Sequence, residues 1–130
     1  MRVAAGFFAA LFVVGALVQL NDPDPIPWIA GYAIASVLSL AAALGRPHRI
    51  ANAVAAILFG IWFVSLAPSL IGAPQEAFTS FEMQAVFHEE PREAGGLALL
   101  SSWSAALAYW AGRRETSERQ DSAWAGADAG

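Results

Sequence analysis

The sequence predicts an all-α fold: an integral membrane bundle of four transmembrane helices with both termini in the cytoplasm. Three observations lead to this prediction. Hydrophobic residues make up 57% of the chain and charged residues only 14%, whereas soluble domains carry roughly 25% charged residues. The apolar residues collect in four runs of membrane-spanning length. Arginine is concentrated at the positions that an up-and-down bundle would place on one side.

The four apolar runs define the predicted helices. An 18-residue helix is about 27 Å long, close to the ~30 Å hydrocarbon core of a bilayer. Because lipid offers no hydrogen bonds to the backbone, each run should be helical. The predicted helices cover residues 3–20, 26–44, 50–71 and 94–111. They form one domain, residues 1–111, and the polar residues 112–130 are expected to be a disordered cytoplasmic tail.

The turn after the first predicted helix is rich in proline and aspartate. It reads Asn-Asp-Pro-Asp-Pro-Ile-Pro over residues 21–27. Pro23 disfavours helix at Asp22, so the first helix should end there. Asp24 is placed to cap the second helix, with a proline at its first position. Trp28 follows at the place of an interfacial aromatic residue.

Arginine sets the predicted orientation, because cytoplasmic loops collect basic residues. Only Arg92 lies on the side opposite to the other arginines. Both termini and loop 45–49 should therefore face the cytoplasm, and turn 21–25 and connection 72–93 should face outward. A chain without lysine and rich in alanine, arginine and glycine suggests a bacterial inner membrane. The arginines on the predicted cytoplasmic side are Arg2, Arg46, Arg49, Arg113, Arg114 and Arg119.

Polar side chains gather on the predicted outer side, where the two outer connections meet. Helix capping and an ion pair from Arg92 to Asp22 or Asp24 would explain them without any ligand. The alternative is a binding site at the boundary between lipid and water. The candidate residues for this ligand or structural cluster are Asn21, Asp22, Asp24, Arg92 and Glu93.

A divalent metal site is one form of that alternative. Carboxylates with one histidine suit Ca²⁺, Mg²⁺ or Zn²⁺, although the spacing matches no established metal signature. The candidate ligands are Asp22, Asp24, His88 and Glu93.

The predicted helices contain no ionisable residue, which argues against a proton-coupled transporter or an ion pump. They also contain no histidine for haem or a di-iron centre, so we expect no cofactor. The chain has no cysteine for thiol chemistry and no basic patch for nucleic acid. The sequence therefore predicts no catalytic residue and no nucleic-acid partner. The expected partners are the lipid bilayer and either another membrane protein or further copies of this chain.

Small residues recur at four-residue spacing on two predicted helices. The spacing is typical of seams where membrane helices approach closely, although it also arises by chance in an alanine-rich chain. The first stripe is Gly31, Ala35 and Ser39, and the second is Ala94, Ala98, Ser102 and Ala106.

Two motifs together resemble those of the transmembrane protein 220 family. The first is Gln-Leu-Asn-Asp-Pro-Asp-Pro over residues 19–25, followed by Trp28. The second is Arg-Glu-Ala-Gly-Gly-Leu over residues 92–97. The resemblance covers residues 1–111, and Pro91 departs from the family pattern, which argues against a continuous helix at that point. The family is known as multi-pass membrane proteins without an established activity, so the resemblance implies the fold and the five polar cluster residues but no reaction.

Three functions follow as hypotheses. The first is a non-enzymatic accessory or scaffold protein of the membrane, whose small-residue stripes bind partner helices. The second is a small membrane enzyme or metal-binding protein with its site on the outer face. The third is a transporter of a small neutral solute, whose path would be lined by Ser65, Pro68 and serines of the fourth helix.

Overall fold

The structure is a computed structural model, which describes residues 1–22, 24–71 and 86–128 and is helical in nearly all of them. Four α-helices occur in this part of the chain. They are α1 (Arg2–Val18), α2 (Pro25–Ala43), α3 (Arg49–Leu66) and α4 (Val86–Asp128). Short 3₁₀ segments, Gln19–Asn21 and Ala67–Leu70, extend α1 and α3.

Two of these helices are long and apolar enough to cross a membrane by length and composition. They are Pro25–Ala43 and Arg49–Leu70, of 19 and 22 residues. α1 is apolar but shorter, with 17 residues. The apolar stretch of α4 contains Ser101, Ser102 and Ser104, which lower its hydropathy.

The outer faces of α1, α2 and α3 carry large apolar side chains that are exposed in the part of the chain that the structure describes. Val3 of α1 is 89% exposed, Ile26 of α2 is 79% exposed and Val64 of α3 is 68% exposed. Soluble monomers rarely expose contiguous apolar patches of this kind, so these faces fit a lipid environment.

The four helices form two antiparallel pairs. α1 packs along α2, and α3 packs along α4. Aromatic side chains join the pairs: Phe8 stacks on Trp103 with ring centroids 3.9 Å apart, and Trp28 stacks on Trp62 at 4.5 Å. Trp28 is 3% exposed, so its indole packs against Trp62 inside the bundle, and its placement at the membrane interface stays a prediction.

The first small-residue stripe is a packing seam inside the chain. Gly31, Ala35 and Ser39 are all buried, and the Phe59 ring reaches within 3.4 Å of where a Cβ of Gly31 would lie. The Trp103 indole N–H donates a 2.9 Å hydrogen bond to Ser39 Oγ. These small side chains therefore make room for the aromatic residues of the opposite pair.

The second stripe has two different environments. Ala94 is buried, whereas Ser102 and Ala106 are exposed. Ser101, beside the stripe, donates a 2.9 Å hydrogen bond to the Ala56 carbonyl of α3. The stripe therefore begins inside the bundle and ends on its surface.

The end of α1 follows the prediction made from the prolines. Asp22 has an extended backbone with ψ 153°, which ends the helical path before the next residue, a proline. Asp24 is the N-cap residue of α2, as predicted, but its side chain makes no capping hydrogen bond. The rigid backbone, rather than the aspartate side chain, therefore terminates the helices here.

α4 is longer than predicted. The sequence predicts a helix over residues 94–111 and a disordered tail over 112–130, but α4 is continuous from Val86 to Asp128 and passes through Pro91. Arg114 and Glu118 lie within 3.5 Å of each other at the i,i+4 spacing that supports a helix. Arg49 of α3 lies 3.7 Å from Glu115. These side chains favour helix where composition alone suggested disorder.

Arginine side chains hydrogen-bond to helix ends at one end of the bundle. We call this end the arginine end and define it by Arg2, Arg46, Arg49, Arg113 and Arg114. The Arg2 guanidinium donates to the Ala43 carbonyl at 2.9 Å, which joins the start of α1 to the end of α2. The Arg114 guanidinium donates to the Gly45 carbonyl at 3.3 Å. The start of α1, the α2–α3 loop and the middle of α4 therefore meet at one end, and Asp22 and Arg92 lie at the other.

Candidate functional site

A pocket of about 310 Å³ opens between α1, α2 and α4 at the end opposite the arginines. We call it the motif pocket. Its polar lining is Gln19, Asp22, Tyr32, Arg92 and Glu93, and its apolar lining is Leu11, Phe12, Val14, Gly15, Val18 and Leu99. The polar residues come from the two sequence motifs and from one tyrosine, and the apolar residues come mainly from α1.

Tyr32 occupies the middle of this arrangement. A Cβ atom at Gly15 of α1 would lie 2.8 Å from Cδ1 of the Tyr32 ring, and a Cβ at Gly96 of α4 would lie 2.6 Å from its hydroxyl oxygen. Both distances are shorter than van der Waals contact allows. A glycine on each neighbouring helix is therefore what lets the tyrosine of α2 reach across from α1 to α4.

Asp22 is half-buried at the polar end of the pocket. Partial burial raises the pKa of its carboxyl above the ordinary value of 3.8, and the negative charge of Asp24 raises it further. The positive charge of Arg92 acts in the opposite direction and lowers it. Arg92 is therefore an electrostatic neighbour of Asp22.

The expected ion pair between Arg92 and the aspartates is not formed at contact distance. Among the side chains that the structure describes, the ion pairs within 4.0 Å are Arg49–Glu115 and Arg114–Glu118, both near the arginine end. Asp22 and Arg92 thus both line the motif pocket without an ion pair of contact distance between them.

The predicted cluster residues fall into two groups. Asp22, Arg92 and Glu93 line the same pocket, so the structure brings the two motifs together. Asp24 is exposed and outside the lining, although its charge reaches Asp22. Asn21 lies in the 3₁₀ turn, and its side chain lies outside the described part of the structure.

The metal hypothesis gains no geometric support from the described residues. Within them, no group of three or more His, Asp or Glu side chains is placed to hold a metal ion. Asp22 and Glu93 share the motif pocket with Arg92, whose positive charge disfavours a cation. The side chain of His88, the fourth candidate ligand, lies outside the described residues.

Sequence reasoning missed Tyr32 and Gly15, and it included Gln19 and Gly96 in the two motifs without assigning either to the candidate site. A signal was present, because Tyr32 is one of only two tyrosines in the chain and stands inside an apolar run. Its importance depends on Gly15, which is 17 positions away in sequence on another helix, and that proximity is a property of the fold.

The chemistry of the motif pocket suits binding of an amphipathic molecule. A guanidinium, two carboxylates and an amide line one part of the pocket, and the Tyr32 ring and apolar side chains of α1 and α4 form the rest of the lining. Charged groups can bind a polar head while the aliphatic wall contacts a chain.

Comparison with known proteins identifies the family. No solved structure matches this chain. The sequence matches the family described as "Transmembrane family 220, helix" over residues 11–109. The match includes both motifs and every residue that lines the motif pocket, and it confirms the resemblance seen in the sequence. The chain therefore belongs to transmembrane family 220.

Proposed function

We propose that this chain is a non-enzymatic, four-span integral membrane protein that holds an amphipathic molecule in the motif pocket. One observation supports the proposal: side chains of both signs, supplied by the two motifs, line the same pocket, and most of its other lining residues are apolar. A ligand with a zwitterionic head and an acyl chain matches this arrangement. Such a role fits an accessory or scaffold protein that presents or stores a lipid.

Membership in a transmembrane family and the two apolar helices support membrane integration. We propose that α1 and the first part of α4 also cross the bilayer, because both pack along a helix of spanning length. We further propose that the arginine end faces the cytoplasm, since arginines collect on that side. The motif pocket would then open toward the outer leaflet, in the inner membrane of a bacterium.

The proposal is tested by measuring which amphiphiles remain bound to the full chain after purification in a mild detergent. Native mass spectrometry should detect a bound lipid on the wild-type chain. Asp22→Asn and Arg92→Gln should each reduce the bound fraction about tenfold, because a hydrogen bond to a charged group contributes roughly 1.5 kcal/mol or more.

Asp24→Asn is the matched control. It makes the same chemical change two positions away, on an exposed side chain outside the pocket lining, and should leave occupancy almost unchanged. A wild-type chain without a bound amphiphile would contradict the proposal, and so would an equal loss in Asp24→Asn.

A second candidate function is association with a partner helix or with another copy of the chain. The observation that favours it is the surface of α4 on which Gly95, Ser102 and Ala106 are exposed. Among the described residues, no atom lies within 4 Å of where a Cβ at Gly95 would be, so a close-packed helix would find room there. Native mass in mild detergent tests it: Ala106→Leu should weaken an existing complex, and a strictly monomeric wild-type chain would exclude the homo-oligomer.

The other two hypotheses, a metal-binding enzyme and a transporter of a neutral solute, stay predictions from the sequence. No contact among the described residues favours either of them.

A further inference from the structure

A second cavity lies at the arginine end, far from the motif pocket. It is a groove of about 550 Å³ between the start of α3 and the middle of α4. We call it the arginine groove. Its lining is Arg49, Ala108, Tyr109, Gly112, Arg113, Thr116, Ser117 and Gln120, so two guanidinium groups and several neutral polar groups face a space that contains no carboxylate in its lining.

Arg113 is oriented in this groove by a neutral partner. Its guanidinium donates a 3.2 Å hydrogen bond to the Tyr109 hydroxyl and lies 5.9 Å from the centroid of the same ring. A tyrosine hydroxyl and ring leave the positive charge uncancelled, unlike a carboxylate partner. Arg113 is exposed, and no carboxylate among the described residues lies within 4.0 Å of it, so its charge is not compensated by an ion pair there.

Arg49 has an acidic neighbour, but the pair is loose. The Arg49 guanidinium lies 3.7 Å from the Glu115 carboxylate, and the side chains are 59% and 45% exposed. Exposed pairs of this kind contribute little free energy. The Arg49 side chain lies against Gly112, where a Cβ would come within 3.1 Å of its Nε, so it packs on α4 beside the residue that precedes Arg113.

The position of the groove relative to the apolar helices points to the kind of ligand. Arg49 is the first residue of the helix Arg49–Leu70, which is long and apolar enough to span a membrane. Tyr109 is 68% exposed on α4 at the same level. The groove thus lies where the apolar part of the bundle ends, which is the level of lipid headgroups in a bilayer.

We propose that the arginine groove binds the phosphate of an anionic phospholipid from the leaflet on that side, with Arg49 and Arg113 as its two ligands. Two guanidinium groups that flank one space match a phosphodiester, since arginine binds phosphate oxygens through paired N–H donors. The lipid would displace Glu115 from Arg49. This site is independent of the motif pocket, because it lies at the other end of the bundle and shares no residue with it.

The test uses the full chain in bicelles of phosphatidylcholine, titrated with phosphatidylglycerol while the melting temperature is recorded. We expect phosphatidylglycerol to raise the melting temperature of the wild-type chain. Arg49→Gln and Arg113→Gln should each weaken the apparent lipid affinity about tenfold or more, because each removes charge-assisted hydrogen bonds to the phosphate.

Arg46→Gln is the matched control, because Arg46 is exposed at the same end but does not line the groove. An equal loss in Arg46→Gln would overturn the proposal in favour of diffuse attraction to surface charge. So would a wild-type melting temperature that does not change with phosphatidylglycerol.

Titration with inorganic phosphate separates a lipid site from a free-anion site. If phosphate alone stabilises the wild-type chain as much as the lipid does, the assignment to a lipid is wrong. Arg49→Lys and Arg113→Lys retain the charge, so they should keep more of the lipid affinity than the glutamine variants even if the glutamine variants fold poorly.

Discussion

At the scale of single residues, Tyr32 gives the motif pocket its shape. Its ring lies against Gly15 of α1 and its hydroxyl against Gly96 of α4, with 2.8 Å and 2.6 Å to the positions that Cβ atoms would take. The tyrosine cannot move away from one glycine without meeting the other helix. The contact with Tyr32 therefore explains why a glycine occupies position 96, the second of the two glycines in the second motif.

Gly96→Ala should destabilise the protein by about 1 to 2 kcal/mol, since the added methyl group overpacks against the Tyr32 hydroxyl. Tyr32→Phe removes that oxygen and leaves the ring carbon Cζ as the nearest atom, at 3.7 Å. The alanine should then be tolerated in the double variant. Free energies of unfolding in detergent, measured for both single variants and the double variant, check this coupling.

Gly95→Ala is the control for that experiment. A Cβ there has no neighbour within 4 Å in the described part of the chain, and alanine favours helix over glycine by up to about 1 kcal/mol, so the change should be neutral or stabilising. Equal destabilisation by Gly95→Ala and Gly96→Ala would show that the Tyr32 contact does not determine the effect.

Asp22 should make the stability depend on pH. Burial and the charge of Asp24 raise the pKa of its carboxyl above 3.8, so the folded chain binds this proton more tightly than the unfolded chain does. The contribution of Asp22 is most favourable below pH 3.8 and is lost as the pH rises through the raised pKa.

Asp22→Asn should therefore raise the melting temperature at neutral pH, and its advantage over the wild-type chain should shrink as the pH falls toward 3.8. Melting curves of both proteins across this range give the measurement. When both proteins also carry Asp24→Asn, the pH range over which this advantage changes should move lower. The reason is that the Asp24 charge, one cause of the raised Asp22 pKa, is then absent. An advantage that grows on acidification would contradict the assigned direction.

At the scale of helices, α2 is the element that holds the two pairs together. Its small-residue stripe faces the aromatic residues of α3 and α4, and Ser39 is fully buried. Ser39 accepts the hydrogen bond of the Trp103 indole at 2.9 Å and donates its own to the Ala35 carbonyl at 2.7 Å. The Ser39 hydroxyl thus gives the Trp103 indole N–H a hydrogen-bond acceptor inside an apolar seam.

Ser39→Ala should lower the free energy of unfolding by about 1 kcal/mol, because the Trp103 N–H would be left without its partner in the core. Ser65→Ala is the control, since Ser65 is exposed and its hydroxyl bonds only to the Trp62 carbonyl of its own helix. Denaturation in a series of detergent mixtures compares the two variants. Similar losses in both would argue against a specific role for the Ser39–Trp103 bond.

At the scale of the whole molecule, polar chemistry is divided between two ends of an apolar bundle. One end carries most of the arginines and the arginine groove. The other end carries the motif pocket, whose charged lining residues are Asp22, Glu93 and Arg92. Between them, the outer faces of the helices expose valine, isoleucine and leucine. The two proposed sites therefore differ in the side chains that line them and lie at opposite ends of the bundle.

The sequence predicted the positions of α1 and α2 to within two residues, because uninterrupted apolar runs bounded by prolines and aspartates leave little choice. It did not predict that α4 would continue to Asp128. Alanine, arginine and glutamate are common in both disordered tails and exposed helices, so composition could not distinguish them. The 114–118 spacing of opposite charges was the signal that favoured helix.

The candidate site was predictable only in part. Asp22, Arg92 and Glu93 were found because polar residues in two outer connections of an up-and-down bundle must lie at the same end. Tyr32 was not found, because its role depends on which glycines face it across helix pairs. The spacing of apolar residues along one helix does not show which residues of other helices it contacts.

The measurement that tests the account most directly is cross-linking between the two motifs in native membranes. The chain contains no cysteine, so Asp22→Cys with Glu93→Cys introduces the only thiols, and both positions line the motif pocket. A short bis-maleimide should join them efficiently, while the pair Arg46→Cys with Glu93→Cys, at opposite ends of the bundle, should not cross-link. If positions 22 and 93 each react with a maleimide but never become joined, the two motifs do not share a pocket and the proposed binding site is wrong.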